Sequence, residues 1–121
     1  MGDEITLTIP GDREFHRVAQ LVLGGLAARL DLTIDTLDDL ELALDAILDR
    51  SDSPGAELTV RLRTCGNELE TLIGPLPASV LDELDRDEGP ELGLRRVLES
   101  TVDDVHVDGD RVRLTKRVAH A

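Results

Sequence analysis

Two carboxylates spaced by one helical turn are the first groups in this chain that could do chemistry. Asp45 and Asp49 lie four residues apart inside segment 40–50, whose apolar residues recur at helical spacing. Both side chains would therefore share one face of a helix, where paired carboxylates can bind a divalent cation. Arg50 is adjacent and would repel a cation, so a solvated acidic helix face is the favoured interpretation.

The other reactive residue types are isolated along the chain. The histidines lack metal-ligand spacing and the serines lack the local motif of an activated nucleophile; they are His16, His106 and His120, and Ser51, Ser53, Ser79 and Ser100. Cys65 is the single cysteine, so no intrachain disulfide can form. The sequence 108–110 resembles part of a calcium loop, but a hairpin turn is the stronger interpretation. Arg61 and Arg63 form a small basic patch, either a contact site or, as we favour, members of surface salt bridges.

Hydrophobic periodicity predicts the elements that position these residues. Alternation predicts strands at 4–9, 57–64, 68–73, 105–107 and 111–116, and helical spacing predicts helices at 13–30, from a cap at Thr33 to 50, at 79–84 and at 91–101. Gly66-Asn67 and 108–110 are hairpin turn signals. The principal order is β-α-α-β-β-α-β-β. We expect one α+β domain over residues 1–121, a two-layer sandwich whose mostly antiparallel mixed sheet carries helices on one face.

Composition narrows the classes of function. The chain has 121 residues, 40% of them hydrophobic, and a net charge of -13. Such an acidic surface repels phosphate backbones, and Phe15 alone cannot build a base-stacking platform, so direct nucleic-acid binding is not expected. A basic protein partner fits better, but an acidic proteome or solubility alone is the simpler explanation of the charge, and it is the one we favour. With no bilayer-length apolar run and an acidic N-terminus, we expect neither a membrane span nor a signal peptide, and a cytoplasmic location.

The element order and several motifs together resemble the GHKL ATPases that share the Bergerat fold, and within them the bacterial serine-kinase anti-sigma factors. The resemblance covers residues 5–118. Five segments carry it. The first strand and helix are 5–9 and 15–30, and the helix that matches the Glu-x-x-x-Asn box is 40–50. The Asp-x-Gly-x-Gly box falls at 72–76, the Gly-x-Gly-Leu-Gly-Leu segment at 89–97 and the final hairpin at 102–117. A two-layer domain that resembles the family by pattern alone is the alternative.

The resemblance implies that three groups needed for ATP chemistry are replaced. Ala46 occupies the place of the glutamate that acts as general base, and alanine cannot accept a proton. Arg50 occupies the place of the asparagine that coordinates Mg²⁺, where a permanent cation repels the metal. Leu72 replaces the aspartate that accepts a hydrogen bond from adenine, and it offers no acceptor.

The glycine positions of the same boxes are only partly kept. Gly74 keeps the first glycine of the second box, whereas Leu76 replaces the second. Gly89 and Gly93 remain in the third segment, while Glu91 replaces a glycine near the phosphates, where a carboxylate opposes a polyanion. The segment 76–88 is short for the family's lid over the triphosphate. We therefore expect a retained fold with a vestigial nucleotide site and no ATP, Mg²⁺ or other cofactor.

The resemblance implies a regulatory protein that acts by contact with other proteins. Its expected partners are a sigma factor or an anti-anti-sigma factor, and the family also forms homodimers. The function expected first is a catalytically inactive, anti-sigma-factor-like regulator in bacterial transcription or stress control. The alternatives are an ATP-binding serine/threonine protein kinase with a rearranged site, and a structural subunit or dimer without a signalling role.

Overall fold

The computed structural model describes residues 4–85 and 93–118, and these form a five-stranded sheet with a layer of helices on one face. The strands are β1 (Glu4–Pro10), β2 (Glu57–Cys65), β3 (Glu68–Gly74), β4 (Asp104–Asp108) and β5 (Arg111–Arg117). The helices are α1 (His16–Arg29), α2 (Ile34–Arg50), α3 (Ala78–Asp85) and α4 (Leu94–Thr101), and a 3₁₀ turn, Arg13–Phe15, precedes α1. The predicted two-layer α+β class is confirmed.

The strands lie in the order β1-β2-β3-β5-β4. All four pairings are antiparallel, so the described sheet is not mixed. Both predicted hairpins are present, and each turn has a glycine with positive φ, 62° at Gly66 and 66° at Gly109. Glycine adopts this left-handed backbone without the steric cost of a Cβ atom, which is why these turns could be predicted.

Helix α2 is the central helix of the core. Its cap is the predicted one, because the Thr36 backbone N–H donates to Thr33 Oγ1 at 3.2 Å. Ile47 and Leu48 have no exposed surface. They belong to the same core cluster as Leu69 and Ile73, which lie on the inner face of the sheet. The apolar stripe of α2 is therefore structural, while the exposed side of the helix carries its aspartates.

Two details differ from the sequence-based expectation. Between β3 and β4 both predicted short helices are present, as α3 and α4, although the principal order counted only one of them. Helix α1 runs continuously through Gly24 and Gly25, and a Cβ atom at either glycine would meet nothing within 4 Å. Two adjacent glycines usually mark the close approach of a neighbouring element, but no described residue makes such an approach here. No described helix is long and apolar enough to cross a membrane.

Candidate functional site

Ala46 and Arg50 lie one turn apart at the C-terminal end of α2. Ala46 is half-buried and contacts the core, so its methyl group is part of the packing. The Arg50 guanidinium folds back along the helix, and its Nη1 donates to the Ala46 carbonyl at 3.0 Å. A cation near the last carbonyls of a helix is favourable, because those carbonyls carry the negative end of the helix dipole. Arg50 therefore has a clear structural role.

A single oxygen of Glu83, on α3, joins α2 to α4. Glu83 Oε1 accepts from Arg50 Nε at 3.1 Å and from the Leu94 backbone N–H at 3.2 Å. Leu94 is the first residue of α4, and Gly93, the N-cap, has no side chain to cap the helix. The N-terminus of a helix attracts anions through its unpaired N–H groups and its dipole. Here a carboxylate of the chain itself fills that position.

A second contact holds α3 against α4. Arg95 Nη1 donates to the Leu84 carbonyl at 2.9 Å, which satisfies a backbone acceptor near the end of α3. Beneath this contact Leu84 and Leu94 have no exposed surface, and Val80 is 1% exposed. Helix α3, which lies in the segment where the resemblance places the lid, is therefore seated in the core rather than standing over a cleft.

The candidate residues on β3 and just after it do not lie together with those on α2. Leu72 pairs with Arg61 on β2 and Arg113 on β5, and its side chain lies on the sheet face opposite the helices. Leu76, by contrast, is 6% exposed and belongs to the core. The structure brings Ala46, Arg50 and Gly93 into one neighbourhood through Glu83, and it places Leu72 outside it.

An open groove of about 250 Å³ lies beside Leu76. It is lined by the ends of α2, β1, β2 and β3, at Gly11, Ser51, Ser53, Ala56, Glu57, Leu58, Pro75, Leu76 and Pro77. No basic side chain lines it, and the Ser51 hydroxyl already donates to the Ile47 carbonyl at 2.6 Å. A nucleotide needs donors or cations for its phosphates. The described residues that line this groove therefore supply no cation for a phosphate.

The other predicted candidates either make hydrogen bonds or salt bridges within the fold or lie outside the described residues. Asp45 accepts a hydrogen bond from Gln20 Nε2, and in residues 4–85 and 93–118 no group of three histidine, cysteine or acidic side chains could hold a metal. Gly89, Glu91 and His120 lie outside those residues. Arg61 and Arg63 pair with Glu4 and Glu70 at 3.4 and 2.9 Å, as the salt-bridge interpretation predicts.

Two features escaped the sequence analysis. No sequence pattern marks Glu83 as a site residue, because its hydrogen-bond partners Arg50 and Leu94 are 33 and 11 residues away in the chain. His16 was considered only as a metal ligand. It is 7% exposed, and neither ring nitrogen has a hydrogen-bond partner among the described residues. Gln20 Oε1, one turn further along α1, is likewise buried without a partner there.

Comparison with known proteins shows a distant similarity to a bacterial kinase. No family model matches the chain. The serine-protein kinase RsbW of Bacillus velezensis is 27% identical over 95 residues, which cover 73% of this chain and 59% of that kinase. The chain thus spans about 59% of the length of the curated relative that it matches. It is similar, at a distant level, to a bacterial serine-protein kinase.

Proposed function

We propose that this protein is a catalytically inactive, anti-sigma-factor-like regulator that acts by binding other proteins. The setting that the resemblance implies is bacterial transcription or stress control. The observation that carries the proposal is the position of Glu83, whose carboxylate joins Arg50 to the first N–H of α4.

The electrostatics of this neighbourhood support the loss of nucleotide binding. A phosphate at the start of α4 would have to displace Glu83 or lie beside its negative charge, which is unfavourable at short range. A magnesium ion at the position of Arg50 would meet a permanent cation. Ala46 supplies no proton acceptor for the attacking hydroxyl. Each change opposes a different part of ATP chemistry, and all of them leave the packing of α2 intact.

The helix layer supports a role in protein binding. The exposed large apolar side chains of the described residues all lie on α1 or α2 or at their ends: Val18, Leu21, Ile34 and Leu42. Exposed Asp38, Asp45 and Asp49 lie on the same side of α2 as Leu42. An apolar surface beside aspartates complements a basic amphipathic segment. A sigma factor or an anti-anti-sigma factor is the partner class that the resemblance implies, and a homodimer would use the same apolar side chains.

An active serine/threonine protein kinase with a rearranged site is the second candidate, and the similarity to a serine-protein kinase favours it. This candidate requires Glu83 to leave Arg50 and Leu94 when ATP arrives. It also requires a proton acceptor other than residue 46.

The two candidates are separated by a binding experiment with purified proteins. Sigma factors and anti-anti-sigma factors of the source organism are tested for complex formation by size-exclusion chromatography, with and without ATP and Mg²⁺. The proposal predicts a nucleotide-independent complex and no phosphorylation of either partner. Leu42→Asp should weaken that complex, whereas Thr8→Asp, on the opposite face, should leave it unchanged. Phosphate transfer to a partner serine, or failure of every such protein to bind, would contradict the proposal.

A further inference from the structure

The sheet face that none of the described helices covers has an arginine patch at its centre, which we define as Arg61, Arg111 and Arg113 around Leu72. Leu72, on β3, pairs with Arg61 on the neighbouring strand β2 and with Arg113 on the neighbouring strand β5. The intervening residues of these strands, such as Ile73 and Val112, are buried on the helix side. Because strand side chains alternate between faces, the patch residues all face away from the helices.

Gly74 explains how Arg111 joins this patch. A Cβ atom at Gly74 would lie 2.5 Å from Cγ of Arg111 and 3.0 Å from the Asp110 carbonyl oxygen. The stem of Arg111 therefore lies directly on β3, in the space that a side chain would occupy. Thr59, Arg61, Leu72, Gly74 and Arg111 together line a shallow depression there. The surviving box glycine thus serves this outer face.

The guanidinium groups of the patch are only weakly neutralised. Arg61 Nε lies 3.4 Å from Glu4, but both side chains are about half exposed, at 46% and 49%. Two acids lie near Arg111: its own neighbour Asp110, at 3.9 Å, and Asp108, its register partner on β4 and an exposed residue. Arg113 has no ion pair among the described residues. Exposed pairs of this kind contribute little, so Arg61 and Arg111 can exchange their partners readily.

We propose that the arginine patch docks an acidic, extended segment of a partner protein. Guanidinium forks bind carboxylates in a bidentate manner, and Leu72 offers an apolar contact between them. On a chain of net charge -13, three clustered arginines give the described surface a site where an acidic partner meets attraction. This inference does not depend on the proposed function, because it uses the opposite face of the sheet.

The test is an NMR titration of the ¹⁵N-labelled protein, at low ionic strength, with a synthetic peptide of alternating glutamate and leucine. We expect amide shift changes confined to β2, β3 and β5 around Leu72. Added salt should reduce them, because exposed charge pairs are screened. The double variant R111Q/R113Q should weaken binding about tenfold or more, the loss expected when charge-assisted contacts are removed. Arg63→Gln is the matched control, since Arg63 lies on the same face but is bonded to Glu70, and it should stay within about twofold.

Several results would overturn the inference. Shift changes on α1 or α2, or none at all, would show that the patch does not bind acidic segments. Equal binding of a peptide with lysine in place of glutamate would show that charge is not recognised. Tighter binding of single-stranded DNA at the same residues would assign the patch to another class of ligand. Concentration-dependent self-association lost in R111Q/R113Q would assign it to a second copy of this chain. Dispersed spectra of each variant establish that it is folded.

Discussion

Glu83 lies against Arg50, with Oε1 of the glutamate 3.1 Å from Nε of the arginine. The same oxygen accepts the Leu94 N–H at 3.2 Å, so one carboxylate connects the end of α2 with the start of α4. The residue that replaces a metal-coordinating asparagine in the resemblance thus has a partner within its own chain. This pair explains how α3 is held at a position where the resemblance places a lid.

Removing the carboxylate should destabilise the fold measurably. Both side chains of the pair are 34% exposed, which limits the Coulombic part through solvent screening. Glu83→Ala also leaves the Leu94 N–H without its acceptor, so we expect a loss of about 1–2 kcal/mol in the free energy of unfolding. Glu83→Gln keeps an acceptor oxygen and should lose about half as much. Urea unfolding followed by circular dichroism measures both.

The matched control for Glu83 is Glu99→Gln. Glu99 lies 3.8 Å from Arg95 and its side chain is 52% exposed, so its replacement should change stability by less than about 0.5 kcal/mol. If Glu83→Ala cost no more than Glu99→Gln, the contact between α2, α3 and α4 would not stabilise the fold.

Gly74→Ala should be destabilising because the added methyl group overlaps its neighbours. The new Cβ would lie 2.5 Å from Arg111 Cγ and 3.1 Å from Arg111 Cα, so the β5 backbone as well as the side chain must shift. Overpacking of this kind costs about 1–3 kcal/mol. Chemical denaturation of the variant gives the change.

Gly25→Ala is the comparison for Gly74→Ala. Gly25 lies inside α1 with open space at its Cβ position. Alanine should stabilise the helix there by about 1 kcal/mol, because glycine has the greater freedom to lose on folding. Equal effects of the two substitutions would contradict the close contact between β3 and Arg111.

His16→Leu should raise stability or leave it unchanged. The imidazole is 7% exposed, and both ring nitrogens lack a partner among the described residues. Replacing an unsatisfied buried polar group by an apolar one of similar size removes its desolvation cost, about 1–3 kcal/mol, against some loss of packing fit. Thermal unfolding at pH 7 measures the change, and exposed His106→Leu serves as the control. A loss of more than about 1 kcal/mol in His16→Leu would mean that the ring makes a stabilising polar contact.

The fold was predictable because its determinants are local. Strand alternation, the turn glycines Gly66 and Gly109 and the Thr33 cap each act over a few residues, and the structure confirms all three. The outward orientation of Leu72 can also be predicted from the sequence, since alternation along β3 puts it on the same face as Glu68 and Glu70. That orientation means that Leu72 and Arg50 cannot be parts of one cleft.

The contacts of the candidate site were not predictable, for the opposite reason. Glu83 meets Arg50 only because the fold brings α3 near the end of α2, although the two residues are 33 positions apart in the chain. The unpartnered nitrogens of His16 likewise depend on which residues surround α1 after folding. No periodic pattern reports such tertiary contacts, whereas it does report which faces are buried.

Isothermal titration of the wild-type protein with ATP and Mg²⁺ shows whether the nucleotide site is closed, as we propose. A parallel thermal unfolding series detects binding by stabilisation, which reaches about 2.7 kcal/mol at 100 times the dissociation constant. Our account predicts no binding heat and no stabilisation, both for the wild type and for Glu83→Gln, because Ala46 and Arg50 still oppose the ligand. Saturable binding of ATP to the wild type, abolished by chelation of Mg²⁺, would contradict it.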